Sequence, residues 1–182
     1  MKKDILFVTN SQKVLAFILR YPHKDFTGRE IEEAVKLSKS GTNYALRELA
    51  LTGFVFRNKR WKAYFYTLNH RSPVIRQLKV TRMVIEMQSL REKLKEWSSK
   101  IILFGSSCRG ENTVDSDIDL FIVSRNKEEA EKVIKQYSSP RKIQAVIRSN
   151  VKFSEMRKTE PDFYEQVIRG IVLWEARDEA GI

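Results

Sequence analysis

Cysteine is nearly absent from this sequence, which has a single one, Cys108, among 182 residues. One thiol cannot form an intrachain disulfide, so the sequence is not a disulfide-stapled secreted domain and a reducing cytoplasmic setting is expected. We predict that Cys108 packs against apolar neighbours, because a free cysteine usually behaves as a small apolar residue.

Long apolar runs are missing as well. No segment reaches the length of a membrane-spanning helix, and the Met-Lys-Lys-Asp start is not followed by the apolar stretch of a signal peptide. Internal repeats and low-complexity tails are also absent. A chain of 182 residues with 42% hydrophobic residues is long and apolar enough for one or two domains with a core. The expectation is a cytoplasmic globular protein with no membrane partner.

Negative charge is scarce in the first part of the chain. Residues 1–80 hold 16 Lys or Arg against 6 Asp or Glu, whereas residues 101–182 hold 13 against 14. Most of the net charge of +11 therefore lies in the first part. Such an asymmetry indicates a polyanionic partner for that part, and nucleic acid is favoured over a membrane surface.

The second part contains a pattern suited to phosphate chemistry. An apolar run from Ile101 to Phe104 ends in Gly105-Ser106, and Asp117-Ile118-Asp119 precedes a second apolar run. Alternate residues of a strand point to the same face, so the carboxylates of Asp117 and Asp119 are expected to project together. Two such carboxylates form an oxygen site suited to Mg²⁺ and phosphates. Gly105 allows close approach of the backbone to an anion, and Ser106 is expected at the start of a helix.

This stretch resembles the signature of the minimal nucleotidyltransferases of the DNA polymerase beta superfamily. That signature is an apolar strand, Gly-Ser, about ten residues, and Asp-x-Asp on the next strand. Residues 162–175 are similar to the closing helix and strand of the family, and the resemblance covers about residues 98–176. The matching residues are Gly105, Ser106, Arg109, Gly110, Ser116, Asp117, Ile118, Asp119 and Leu120.

The resemblance implies a small mixed sheet flanked by helices, within an α/β (α+β) fold. It implies Mg²⁺ bound by Asp117 and Asp119, which are then also the catalytic carboxylates, and ATP or another nucleoside triphosphate as ligand or donor. The implied nucleotide-binding residues are Gly105, Ser106, Ser107 and Arg109. An acceptor would be a hydroxyl group of a protein, an RNA or a small molecule.

The chain departs from the family at two positions. Ser107 stands where the family usually has a basic residue. Gln144, in the apolar segment 143–147, stands where the family usually has a third acid. An amide accepts a hydrogen bond but has no charge to hold a metal or to take a proton from an attacking hydroxyl. Alternatively, this strand alignment is wrong and another acid serves, with Glu155 and Glu160 nearby on predicted helical surfaces.

The basic first part resembles a winged helix-turn-helix over about residues 8–69. A short helix around residues 14–19 precedes a second one capped by Thr27 and Glu30, and Ser38 or Ser40 caps a third that ends near Gly53. Residues 54–56 read as a strand, 57–60 as a turn and 61–68 as a returning strand. Aromatic residues of this hairpin are expected to pack within it: Trp61, Tyr64, Phe65 and Tyr66.

In that arrangement polar and basic residues are positioned for DNA. Those on or before the open face of the third helix are Lys39, Ser40, Thr42, Asn43 and Arg47. Those at or near the tip of the hairpin are Arg57, Lys59, Arg60 and Lys62. Such side chains contact phosphates or base edges, and double-stranded DNA is favoured over RNA because a helix-turn-helix fits the DNA major groove. Exposed basic residues that are merely solvated are the alternative.

Three parts follow from these patterns: residues 1–70 as a winged helix-turn-helix, 71–98 as a helical connector and 99–182 as a minimal nucleotidyltransferase domain. In the connector apolar residues recur every three or four positions, and Pro73 stands where a helix can begin. Its apolar face needs a partner, which is either its own chain or a second copy in a homodimer.

These patterns favour a DNA-binding transcriptional regulator that binds Mg-nucleotide and transfers a nucleotidyl group if catalysis survives Gln144. One alternative is a non-catalytic nucleotide sensor or dimer scaffold, which Gln144 favours. Another, by analogy alone, is an antitoxin that binds its own promoter and modifies a partner protein.

Overall fold

The computed structural model describes residues 7–113 and 115–176. Within these ranges the chain is a mixed α/β protein, as predicted, and it has eight helices and two small sheets. It divides into two compact units, Met1–Arg76 and Gln77–Ile182. Across the described ranges no helix is both long and apolar enough to cross a membrane.

Side-chain caps begin the helices of the first unit, which are α1 (Asn10–Ile18), α2 (Gly28–Val35) and α3 (Lys39–Leu51). The Glu30 carboxylate accepts a hydrogen bond from the Thr27 N–H at 2.7 Å, and the Thr27 hydroxyl accepts one from the Glu30 N–H. Ser38 accepts from the Gly41 N–H at 3.2 Å. The predicted capping box is confirmed, and Ser38 rather than Ser40 caps α3.

The prediction that Thr42 lies on or before the open face of α3 is wrong. Thr42 is only 1% exposed, and it belongs to the same buried stripe as Ala45, Leu46 and Leu49. Helical residues separated by three, four and seven positions share a face, so Thr42 faces the core and is not on the open face of α3. The other predicted residues of this helix are exposed, namely Lys39, Ser40, Asn43 and Arg47.

The first unit also holds an antiparallel sheet of β1 (Phe26–Thr27), β3 (Ala63–Leu68) and β2 (Val55–Arg60), in that order. Arg60 pairs with Ala63, so the turn consists of Trp61 and Lys62. The predicted turn at residues 57–60 is therefore wrong. Every residue of β2 after Val55 is exposed, and the alternation that identifies a strand in a sequence is missing from it.

The hairpin corrects a second prediction. Trp61 is 98% exposed, so it does not pack within the hairpin, whereas Tyr66 is buried as expected. Trp61 lies in the two-residue turn, beyond the last strand pair, and therefore has no neighbouring strand to pack against.

The second unit is built around a four-stranded mixed sheet in the order β6-β5-β4-β7. Its strands are β4 (Ser98–Leu103), β5 (Ile118–Ser124), β6 (Ile143–Arg148) and β7 (Ile171–Glu175). Its helices are α4 (Pro73–Leu94, which begins in the first unit), α5 (Gly105–Arg109), α6 (Lys127–Gln136), α7 (Asn150–Thr159) and α8 (Pro161–Ile168). β4 is antiparallel to β5 and to β7, while β6 is parallel to β5.

Each face of this sheet has its own apolar core. On one face Leu103 and Leu120 join Met83, Met87, Leu90 and Leu94 of α4, together with α6. On the other face Phe121 packs against Met156 of α7 and Val167 of α8. The connector helix therefore buries apolar residues on the sheet of its own chain, while the homodimer stays a prediction.

Candidate functional site

Gly105 joins β4 to the short helix α5 in a conformation that glycine favours. Its φ is +69°, and a Cβ at this position would overlap the Asp119 Oδ2. The backbone of neighbouring β5 is held close because the Phe104 N–H donates to the Asp119 carbonyl at 3.1 Å. The Asp119 carboxylate therefore lies directly against the glycine turn, a contact that any side chain at position 105 would block.

Asp117 and Asp119 form the acidic pair that the sequence predicts. Asp119 is half-buried on β5, and Asp117 immediately precedes this strand. Burial raises the pKa of the Asp119 carboxyl, the charge of Asp117 raises it further, and the guanidinium of Arg109 opposes both. The charge of Asp117 thus disfavours ionisation of Asp119.

Gln144 lies beside this acidic pair. In the parallel register of β5 and β6 it is the direct partner of Asp119, two positions before the pair Phe121 and Val146. Partner residues of parallel strands share a face, so Gln144 places an exposed neutral amide where a third carboxylate would neighbour Asp119. Glu155 is exposed on α7, as predicted, whereas Glu160 is exposed in the bend between α7 and α8 and is not on a helical surface.

The remaining candidate residues of α5 differ in access. Ser106 is half-buried, and Arg109 is exposed with its Nε donating to Glu111 Oε2 at 2.8 Å. Ser107 is fully buried, and its hydroxyl has no hydrogen-bond partner within the described ranges. The Ser107 hydroxyl is thus withdrawn from any ligand in solvent. Cys108 packs against the core beside α4, as predicted, and burial raises the pKa of its thiol.

Sequence reasoning missed two lysines near the acidic pair and the loop before it. Lys79 is buried on α4, and its Nζ donates to the carbonyl of Asn112 at 2.6 Å, at the start of the loop that leads to Asp117. Lys142 Nζ lies 3.6 Å from Asp117 Oδ2. Lys79 occupies the apolar stripe of α4, four residues before Met83, and a lysine on such a stripe is the signal that could have revealed it.

The basic hairpin holds its four predicted residues in different ways. Arg57 stacks over the ring of Tyr64 at 3.6 Å, and Arg60 pairs with Asp25 at 2.5 Å. Lys59 and Lys62 are exposed and form no ion pair with any described residue. These two lysines are the most available cations of the hairpin.

The donor set at the acidic pair fits a divalent cation. Asp117 and Asp119 offer carboxylate oxygens, the ligands that Mg²⁺ prefers. In the described part of the chain, no group of three or more His, Cys, Asp or Glu side chains could hold a metal. An ion held by two carboxylates would take its other ligands from phosphate oxygens and water.

Comparison with known proteins agrees with this geometry. The family model described as "Polymerase beta, Nucleotidyltransferase" matches residues 88–179, which is about half of the chain. No curated protein sequence matches the chain. An archaeal chromatin protein, TrmBL2, whose structure is said to show a novel mode of DNA binding, aligns with 90% of this chain and 71% of its own. Its identity is 12% and its TM-score 0.33, too low to support an argument.

The raised pKa of Asp119 predicts a pH-dependent effect of Asp119→Asn in metal-free buffer. The folded chain holds the Asp119 proton more tightly than the unfolded chain, so folding stability falls as pH rises from the unfolded to the folded pKa. We expect Asp119→Asn to raise the melting temperature at about pH 7 and to leave it unchanged at about pH 3, below both pKa values. Thermal melts at both pH values test this, with Glu155→Gln on exposed α7 as the charge-matched control. A lower melting temperature of Asp119→Asn at about pH 7 would contradict it.

Proposed function

Because the chain belongs to the polymerase beta nucleotidyltransferase family, we propose that it binds a nucleoside triphosphate together with Mg²⁺. From the positive charge of its first part we also propose that it is a DNA-binding regulator. Residues 1–70 would form a winged helix-turn-helix for duplex DNA, 71–98 the connector and 99–182 the nucleotide-binding domain. The observation that carries the nucleotide half is the Asp119 carboxylate, packed against Gly105 and beside Asp117.

The residues around the glycine turn have complementary tasks in this proposal. Gly105 leaves room for the Asp119 carboxylate against the turn, and the backbone N–H groups at the start of α5 would bind phosphate oxygens. Ser106 offers a hydroxyl, and the exposed guanidinium of Arg109 offers positive charge. Asp117 and Asp119 would hold the cation, which neutralises phosphate charge when bound. Ser107 would contribute through its backbone, because its side chain is buried.

Slow or absent transfer follows from Gln144. An attacking hydroxyl needs a base or a third metal ligand beside Asp119, and the amide at that place supplies neither. The nucleotide then acts chiefly as a signal that is sensed by the regulator. Catalytic transfer is the second candidate function, and the intact acidic pair favours it because water can replace one missing ligand.

The DNA half of the proposal rests on the charge and order of the first unit. Three capped helices are followed by a two-stranded hairpin, the element order of a winged helix. The exposed residues of α3 include Asn43 and Arg47, which suit base edges and phosphates. Lys59 and Lys62 add exposed positive charge on the hairpin.

Nucleotide binding is tested with the double variant Asp117→Asn plus Asp119→Asn. We expect its affinity for Mg-ATP to fall by more than about 100-fold, since even partners of metal ligands are worth about 10- to 100-fold. Isothermal titration calorimetry measures the affinity, and a thermal melt checks that the variant is folded. Glu128→Gln should bind as the parent does, because its side chain is exposed on α6, which follows the opposite end of β5 from Asp119. Equal binding by the double variant and the parent would show that the two acids are only a surface turn.

Catalysis is tested at Gln144. The parent is expected to bind Mg-ATP and to transfer label from ATP slowly or not at all, whereas Gln144→Asp restores a carboxylate beside Asp119 and should raise the rate. A rise of at least about tenfold is expected, within the usual contribution of a general base. Transfer to protein or added RNA is followed by radiolabel, and Gln144→Asn serves as the uncharged control. Robust transfer by the parent, abolished by Asp119→Asn, would instead establish the second candidate function.

DNA binding is tested by salt dependence. Removal of one Lys–phosphate interaction should reduce the slope of log affinity against log salt by about 0.9, so Lys59→Ala plus Lys62→Ala should reduce it by about 2. Fluorescence anisotropy on several duplexes at a series of salt concentrations gives this slope. Lys127→Ala plus Lys132→Ala removes the same charge from α6 and should leave the slope unchanged. Absence of measurable affinity for every duplex at low salt would end the DNA half of the proposal.

A further inference from the structure

Trp61 combines two features that are costly for a solvated residue. Its ring is 98% exposed, and its φ of +56° is a left-handed conformation that large side chains rarely adopt. Two-residue hairpin turns usually use Asn, Asp or Gly at such positions. A tryptophan here contributes nothing to the core, so the exposed ring needs a different explanation.

The surroundings of Trp61 point to a polyanion with apolar surfaces inside it. Lys59 lies near the end of β2 and Lys62 is the second residue of the turn. Both are exposed and form no ion pair with a described residue. Tyr64, 42% exposed, carries the guanidinium of Arg57 on its ring. The hairpin tip therefore presents available positive charge around one projecting aromatic ring. Duplex DNA has the complementary surface, with charged phosphates outside and stacked bases inside.

The rest of the hairpin is anchored well enough to hold this tip in place. Arg60 pairs with Asp25 at 2.5 Å and lies over the Phe65 ring. Asp25 also accepts a hydrogen bond from the Thr67 hydroxyl at 2.6 Å. These contacts tie both strands of the hairpin to the segment before β1. A fixed base lets the tip transmit force to a partner, which a mobile loop would not.

We propose that Trp61 is a wedge that inserts between base pairs of the DNA and bends it. This inference rests on the proposed binding of duplex DNA by the first unit. Proteins that insert apolar side chains at a base step unstack it and kink the duplex. Unstacking is easiest at flexible pyrimidine–purine steps such as TA, so the wedge gives a sequence preference without hydrogen bonds to base edges.

The test uses the full chain with the ring removed and the charges kept. Trp61→Asn retains a residue that tolerates positive φ, so the turn is expected to remain folded, and Trp61→Phe retains an aromatic ring. Duplexes of about 30 base pairs carry a fluorophore at each end and either a central TA step or a stiff A-tract. Energy transfer reports bending, and anisotropy reports affinity and its salt slope.

The parent is expected to shorten the end-to-end distance and to prefer the TA duplex. Trp61→Asn should lose the bend and the preference and bind the TA duplex about tenfold more weakly, within the usual contribution of one stacked aromatic ring. Its salt slope should not change, because no charge is removed. Trp61→Phe should keep most of the bend. Lys59→Ala plus Lys62→Ala gives the opposite pattern, a smaller slope with the bend retained at low salt.

Three outcomes would overturn the wedge while leaving DNA binding intact. The first is that Trp61→Asn bends and binds the duplex as the parent does. The second is that the parent binds the duplex without bending it. The third is that Trp61→Asn changes the salt slope but keeps the bend. Failure of the parent to bind any duplex at low salt would instead overturn the proposed DNA binding itself.

Discussion

The contact between Gly105 and Asp119 is the constraint on which the acidic site depends. β4 and β5 are paired up to Leu103 and Leu120, and one further hydrogen bond joins Phe104 to the Asp119 carbonyl. This pairing brings the chain reversal at Gly105 onto the carboxylate of Asp119, and only a residue without Cβ leaves room for it. The close approach puts the glycine turn and an acidic group at one place.

Strand alternation determines how the site is supported. Leu120 and Ile122 enter the core beside α4, whereas Asp119 shares the face of Phe121, which packs against α7 and α8. β5 is buried along most of its length, so a shift of one residue would move its apolar side chains from one core to the other. The register that buries these side chains therefore also fixes Asp119 at the glycine turn and Gln144 at its side.

Charge is divided between the two parts of the chain according to the partner proposed for each. The first 80 residues supply most of the positive charge, while the second part is almost neutral and has its paired carboxylates beside a glycine turn. DNA and a nucleoside triphosphate both carry negative charge. DNA would bind to the dispersed Lys and Arg side chains of the first part, whereas the triphosphate would bind through a cation held by the carboxylates of the second part. Buried Lys79 holds the start of the loop that leads to Asp117 through the carbonyl of Asn112.

The sequence by itself determined the features that depend on neighbours along the chain. Thr27 and Glu30 form a cap because they stand three residues apart, and the two-residue spacing of Asp117 and Asp119 puts both at the start of β5. The family signature added the position of Gln144 beside the acidic pair. Tertiary structure alone decided the burial of Ser107, the approach of Lys142 to Asp117 and the exposure of Trp61. The first two features depend on contacts between segments that are distant in sequence, and the third depends on where β2 stops pairing with β3. The spacing of neighbouring residues in the sequence predicts neither.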